Sequence, residues 1–182
     1  VLGHIPGLPQ PSQKRFDSLV WDALRKFDPA RVVYVEAESK KVGNVRVADA
    51  LIDAMRASPC LDLQLPDEQR VALLLEDYDF FVQDPLHFCQ RLTALGELRG
   101  HETVQAWQQQ VMAGDIPAVV LALLQQHYDP MYAASIRRNF KQYAQAEPAV
   151  LLDRSGHALE RLAHMLIASE HGAAVVAAQI TA

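Results

Sequence analysis

The sequence predicts an α/β domain of three layers, with a parallel sheet and an inserted helical region, on three observations. Residues 32 to 39, Val-Val-Tyr-Val-Glu-Ala-Glu-Ser, run four residues fit for a buried strand into two carboxylates and a hydroxyl. Strand and helix patterns alternate towards both ends of the chain, and from Asp67 to about Tyr143 the periodicity is almost wholly helical. Parallel strands covered on both faces read as continuous apolar runs, and in open α/β sheets the ligand crevice lies beyond their carboxyl ends. Glu36, Glu38 and Ser39 are therefore expected at a cleft. The basic, glycine-containing run Lys40-Lys-Val-Gly-Asn44 follows them. Strand, acidic end and basic loop together predict the Walker-B side of a P-loop NTPase-like nucleotide-binding domain, present here in part.

The elements follow in order. Gln10-Pro-Ser-Gln13 opens a first helix with Ser12 as N-cap; Phe16, Leu19, Val20, Leu24 and Phe27 keep helical spacing, and the helix ends before Pro29. Val32 to Val35 is the strand. Asp49 to Met55 places Leu51, Ile52 and Met55 on one helical face, and Leu61, Leu63 and Leu65 alternate in a second strand that Pro66 stops. Beyond it, Val71, Leu74, Leu75 and Tyr78 form one stripe, Leu86, Cys89 and Leu92 a second after Asp84-Pro85, and Val104, Trp107 and Val111 a third that Gly114 ends. Gly96 and Gly100 bracket a loop read as a hinge. Asp115 with Pro117, and Asp129 with Pro130, are placed to start further helices. Ala149 to Leu152 is a short apolar run, Asp153-Arg-Ser-Gly156 leads into a helix bearing Leu159, Leu162, Leu166 and Ile167, and Ala173 to Ala178 reads as a helix end or a frayed tail. The organisation expected is 1–66 as the Walker-B side of the α/β domain, 67–145 as the helical insertion, and 146–182 as the last strand and closing helix.

Composition narrows the function classes. With 182 residues, half of them hydrophobic, the chain can bury one domain's core, and it has no apolar run of membrane-spanning length. A net charge of -5 argues against a surface that binds nucleic acid throughout, because phosphate neutralisation needs clustered Lys and Arg; a local patch is still compatible. Cys60 and Cys89 form no C-x-x-C, so they read as buried thiols of a reducing cytoplasm rather than as a zinc site or disulfide. The first residues lack Met, a basic segment and an apolar segment, and read as a loop of a longer protein.

A carboxylate at the end of a Walker-B strand suits Mg²⁺, since a hard cation bridging phosphates takes anionic oxygen ligands. Glu36 is the first candidate and Glu38 the second; the competing reading is that they cap the next turn or pair with Lys40 or Lys41. Lys40 and Arg70 are candidates for the phosphate side. None of the eight glycines begins G-x-x-x-x-G-K-[ST], so the phosphate cradle is expected outside this sequence. Lys41, Arg46, Arg137 and Arg138 could meet nucleic-acid phosphates while Tyr128 and Tyr132 stack on bases; the alternative is a solvated face and ordinary packing. The seven histidines read as surface or packing residues.

Gln10-Pro-Ser-Gln13, then Phe16, then Val35-Glu-Ala-Glu-Ser-Lys-Lys-Val-Gly43, and later Tyr128-Asp-Pro-Met-Tyr132 with Ser135, resemble in order and spacing tRNA 2-selenouridine synthase. The resemblance implies a cytoplasmic enzyme in which a rhodanese-like domain with a reactive cysteine precedes a P-loop domain. It implies replacement of the sulfur of 2-thiouridine at the tRNA wobble position by selenium, through a geranylated intermediate, with geranyl pyrophosphate and selenophosphate as substrates. ATP or GTP use is left open. On this reading the chain is the later part of the P-loop domain, its partner is tRNA rather than DNA or a membrane, the nucleophilic cysteine and the P-loop lie upstream, and these residues alone are inactive. A P-loop ATPase or small-molecule kinase, and a non-catalytic helical interaction module, are the alternatives.

Overall fold

A computed structural model describes residues 9–37 and 39–168, and the backbone of 176–180. The molecule is α/β, mostly helical with a small parallel sheet, and divides into two compact units. One is built on Asp67–Tyr132, the other on Gln10–Pro66 with Ala133–Thr181.

In the second unit, helix α1 (Gln13–Leu24) starts where the Ser12 hydroxyl accepts from the Arg15 N–H, one of the orphan donors of a first turn. None of its side chains is fully buried: of the apolar stripe from Phe16 to Phe27, Phe16 and Val20 are half-buried and Leu19, Leu24 and Phe27 are exposed. Strand β1 is Tyr34–Glu36, starting two residues later and ending one later than the expected Val32 to Val35, so Glu36 ends the strand rather than following it. A hairpin unread in the sequence comes next: β2 (Lys41–Val42) pairs antiparallel with β3 (Val45–Arg46) through Gly43-Asn44. Gly43 has φ +59° and Asn44 is not in the left-handed region, which is the II′ arrangement with Gly at the first central position.

Helix α2 (Asp49–Ala57) buries Ile52 and Met55, and β4 (Cys60–Gln64) follows. Leu61 and Leu63 of β4 are buried, as the alternation predicts. Strand β5 is Glu147–Val150, α10 is Gly156–Ala168, and β6 is Val176–Ile180. The sheet order is β1-β6-β4-β5 with every pair parallel. Of the run Ala173 to Ala178, read as a helix end or frayed tail, 173–175 lie outside the described residues, and the rest belongs to β6, an interior strand. One core joins Ala37, Ile52, Met55, Ile136 and Phe140 with Val35, Cys60 and Tyr143. On the other side Leu63 and Leu151 pack with Ala158 and Leu162 of α10.

The first unit is helical: α3 (Asp67–Asp77), α4 (Asp79–Gln83), α5 (Pro85–Thr93), α6 (Gly96–Arg99), α7 (His101–Met112) and α8 (Ile116–Leu123). Asp84 caps α5 by accepting from the His87 N–H at 2.9 Å, with Pro85 at the first position, where no N–H is missed. Phe88, Leu92 and Leu95 are the buried face; Leu86, read as part of the stripe, is exposed. Gly96 begins α6 rather than a loop, and Gly100, at φ +87°, makes the turn into α7. Val104, Trp107 and Val111 of α7 meet Ile116, Val119 and Leu123 of α8 in one core. Replacing a fully buried member such as Leu92 by Ala should cost about 2–5 kcal/mol.

Asp129-Pro130 does not start a separate helix. α8 passes into a π-helical turn, Leu124–Tyr128, and then into α9 (Asp129–Asn139). Pro130 has no N–H to give and its ring crowds the carbonyl one turn back. The widened turn, in which the Asp129 N–H reaches the Leu124 carbonyl, absorbs that conflict.

Candidate functional site

Because the four strands are parallel, their carboxyl ends share one edge of the sheet. Glu36 is on that edge, exposed, and level with Ala178 of β6. Ala37 turns into the core behind it. Glu38 lies outside the described residues. The Ser39 hydroxyl donates to the Lys41 carbonyl at 2.6 Å, shaping the entry to the hairpin. Among the described residues no group of three or more His, Cys, Asp or Glu could hold a metal ion. A single strand-end carboxylate does fit Mg²⁺, which takes one or two protein carboxylates and leaves its other positions to phosphate and water.

The hairpin joins two of the residues singled out from sequence. Lys41 and Arg46 are directly opposite one another, both exposed, while Val45 on the other face is buried. Both backbone groups of Arg46 are bonded outside the hairpin, to Gln13, and the Val47 N–H donates to the Lys40 carbonyl. Lys41 and Arg46 are therefore a non-hydrogen-bonded pair, the kind whose Cα atoms approach to about 4.5 Å. Like charges so placed repel, and each such pair costs stability unless an anion lies between them. Lys40 is held differently, in an ion pair with Asp49, and this pairing keeps the Asp49 carboxyl below its ordinary range.

Arg70 is buried in the first turn of α3. Its Nη1 donates to Asp67 Oδ1 and to Asp129 Oδ2, both at 3.0 Å, and its Nη2 to Asp129 Oδ1 at 2.5 Å. Gln125 Nε2 donates to the second oxygen of Asp67 at 2.9 Å. The hydrogen bonds from Arg70 to Asp129 raise its already high pKa, against the opposing effect of burial. Tyr128 is half-buried on the helical core with its ring edge-on to His127, and Tyr132 is exposed. Arg137 and Arg138 are exposed in the last turn of α9, which suits cations.

Several polar groups escaped the sequence reading. Asp62, inside β4, accepts from the Tyr143 hydroxyl at 3.2 Å and from Gln64 Nε2 at 2.7 Å. Burial, then the Asp62 charge, push the Tyr143 phenol up. Gln142 Nε2 donates to the Ser58 carbonyl at 2.6 Å and to the Arg56 carbonyl, satisfying the end of α2. His127 is wholly buried, and its Nδ1 accepts from Arg99 Nε at 3.0 Å, which fixes a neutral ring with the proton on Nε2. Only the Gly-Asn dipeptide between short basic-apolar segments offered a local signal, that of a two-residue hairpin.

Residues 1–112 match a family model described as tRNA 2-selenouridine synthase AAA domain, a span of more than half the chain. No curated protein and no solved structure matches.

Proposed function

Because the chain belongs to the tRNA 2-selenouridine synthase AAA-domain family, we propose that it serves as the acidic edge and tRNA-contacting part of a selenouridine synthase. The family is one of tRNA-modifying enzymes, and an AAA-type domain fits a P-loop-like fold. Within that frame, 1–66 and 146–182 form the P-loop-like α/β domain and 67–145 its helical insertion. The reaction is replacement of sulfur by selenium in wobble 2-thiouridine through a geranylated intermediate, in the cytoplasm. Glu36 is the residue that would hold Mg²⁺, which would supply positive charge to a phosphate-bearing substrate such as geranyl pyrophosphate or selenophosphate; Ser39 and Lys40 stand with it on the phosphate side, and Arg70, on α3, is a separate phosphate-side candidate. Lys41 and Arg46, with Tyr128, Tyr132, Arg137 and Arg138, contact tRNA. The phosphate cradle comes from outside these 182 residues, because no glycine here begins a P-loop, and by the family resemblance the nucleophilic cysteine does too.

The observation that most supports this reading is the parallel strand β1 ending on exposed Glu36, with the exposed Lys41–Arg46 pair in the hairpin that follows. Carboxylate and paired cations suit a polyanion whose charge is partly neutralised by metal. In the whole protein, Glu36→Gln should lower tRNA geranylation or selenation by at least tenfold with little change in melting temperature. An active variant, or one inactive only because it unfolds, would remove Glu36 from the site.

A further inference from the structure

The hairpin that carries Lys41 and Arg46 is too short to hold its own geometry. Each strand has two residues, and isolated hairpins are marginal even when longer. Two side chains complete it. Gln10 Nε2 donates to the Val42 carbonyl at 3.0 Å, and Gln10 Oε1 accepts from the Asn44 N–H at 2.7 Å. Gln13 Nε2 donates to the Arg46 carbonyl at 2.8 Å, and Gln13 Oε1 accepts from the Arg46 N–H at 2.9 Å. A primary carboxamide offers one acceptor and two donors, so it can pair with a strand edge as a peptide group does. Gln13 satisfies both outward groups of Arg46, and Gln10 secures the turn.

The clamp is itself fixed. The Gln13 amide also donates to Asp17 Oδ1 at 2.8 Å, one turn along α1, and Ser12 caps the same helix. Gly43 leaves the room that Gln10 needs: a Cβ there would stand 2.3 Å from Gln10 Nε2 and 2.5 Å from Oε1. Three features of sequence far from one another in chemistry, two glutamines and a glycine, thus converge on one surface. That surface otherwise holds two like charges close together at a cost. Among the charged neighbours, Lys40 pairs with Asp49, whose charge also reaches Arg46; Lys41 and Arg46 are the cations whose separation the clamp sets.

We infer that Gln10 and Gln13 are positioning residues for tRNA binding: their carboxamides act as a surrogate third strand that holds Lys41 and Arg46 side by side to grip backbone phosphate. The inference rests on the tRNA-contacting role proposed above for that pair.

The test is the salt dependence of tRNA binding by the full protein, because the slope counts phosphate contacts and a merely structural loss leaves the count alone. The double variant Lys41→Ala/Arg46→Ala should lower the slope of log K against log salt by about 1.5. Gln10→Leu/Gln13→Leu should lower it by about 1, weaken binding roughly tenfold at physiological salt, and add nothing in the Lys41→Ala/Arg46→Ala background. Gly43→Ala, which both displaces Gln10 and strains the II′ turn that Gly43 makes, should move the slope in the same direction. Faster amide exchange at Asn44 and Arg46, with an unchanged melt, would report the released clamp directly. An unchanged slope in Gln10→Leu/Gln13→Leu beside a lowered one in Lys41→Ala/Arg46→Ala overturns the positioning role alone. An unchanged slope in Lys41→Ala/Arg46→Ala overturns the tRNA-contact reading with it. Loss of the global fold in the glutamine and glycine variants alike would also overturn it, since the residues would then be structural.

Discussion

Arg70 and Asp129 face each other through two parallel hydrogen bonds, across 59 positions of sequence, at the junction of α3 with the start of α9. Arg70 is buried and Asp129 is about one-third exposed, so removing the carboxylate takes the two-pronged bond from a buried cation and leaves it the Asp67 contact among others. Asp129→Ala should lower the unfolding free energy by about 2 kcal/mol, below the 3–5 kcal/mol typical of fully buried pairs. Denaturant melts would check this. If Arg70 also serves the phosphate side, Arg70→Lys should lose activity at temperatures where it is still folded, because Lys cannot reproduce a two-pronged bond.

His127 gives the helical unit a pH dependence of stated sign. Burial first, and the Arg99 guanidinium second, push its pKa down from the ordinary 6.5. As pH falls below about 6.5 the unfolded chain takes up a proton that the folded state refuses, so the unfolded state gains and stability drops. Stability should therefore fall between pH 7 and pH 5.5, and His127→Gln should flatten that part of the profile. A profile as steep in the variant as in the parent would assign the dependence to other groups.

Arg137 and Arg138 are exposed on the last turn of α9. Arg137→Ala/Arg138→Ala should weaken tRNA affinity and flatten its salt dependence, with stability changed by less than about 0.5 kcal/mol, as for ordinary surface substitutions. Unchanged affinity and slope would make the pair a solvated face.

Gly100 and Gly114 have φ of +87° and +86°. No atom would lie within 4 Å of a Cβ at Gly114, so Gly114→Ala isolates the backbone cost of the left-handed region, about 1 kcal/mol by thermal melt. Gly100→Ala, with only Thr103 Oγ1 at 4.0 Å, should cost more, about 1–3 kcal/mol, because φ +87° with ψ 141° lies in a region that glycine alone adopts readily.

These 182 residues alone should bind Mg-ATP and geranyl pyrophosphate weakly or not at all by calorimetry. Without backbone N–H donors around the phosphates, one carboxylate and exposed cations contribute little. Micromolar binding of either ligand would place the phosphate site inside the chain.

Elements with a clear period were legible. Alternating leucines and Pro66 defined β4, and the spacing of Val104, Trp107 and Val111 defined α7. Three strands were not, for two different reasons. The hairpin strands are shorter than one repeat of any pattern, and their outward backbone groups are bonded by the side chains of Gln10 and Gln13 rather than by a further strand. Val176 to Ile180 is alanine-rich, with weak intrinsic preference for a strand; its position between β1 and β4 decides its state. Of the site, the strand-end acid and the basic residues could be read locally. The partners of Arg70 could not, since nothing in sequence order joins position 70 to position 129.

The strand order β1-β6-β4-β5 sets a timetable for assembly. Within this sheet the first strand has no neighbour until the last one is made, so the loop closed by their pairing encompasses most of the chain. Such non-local pairing is slow, and during synthesis β1 waits for its strand partner while the helical unit, whose contacts are local, can already be complete. A stop codon a few residues before Val176 would spare the helices yet leave β1 and β4 without the strand that joins them.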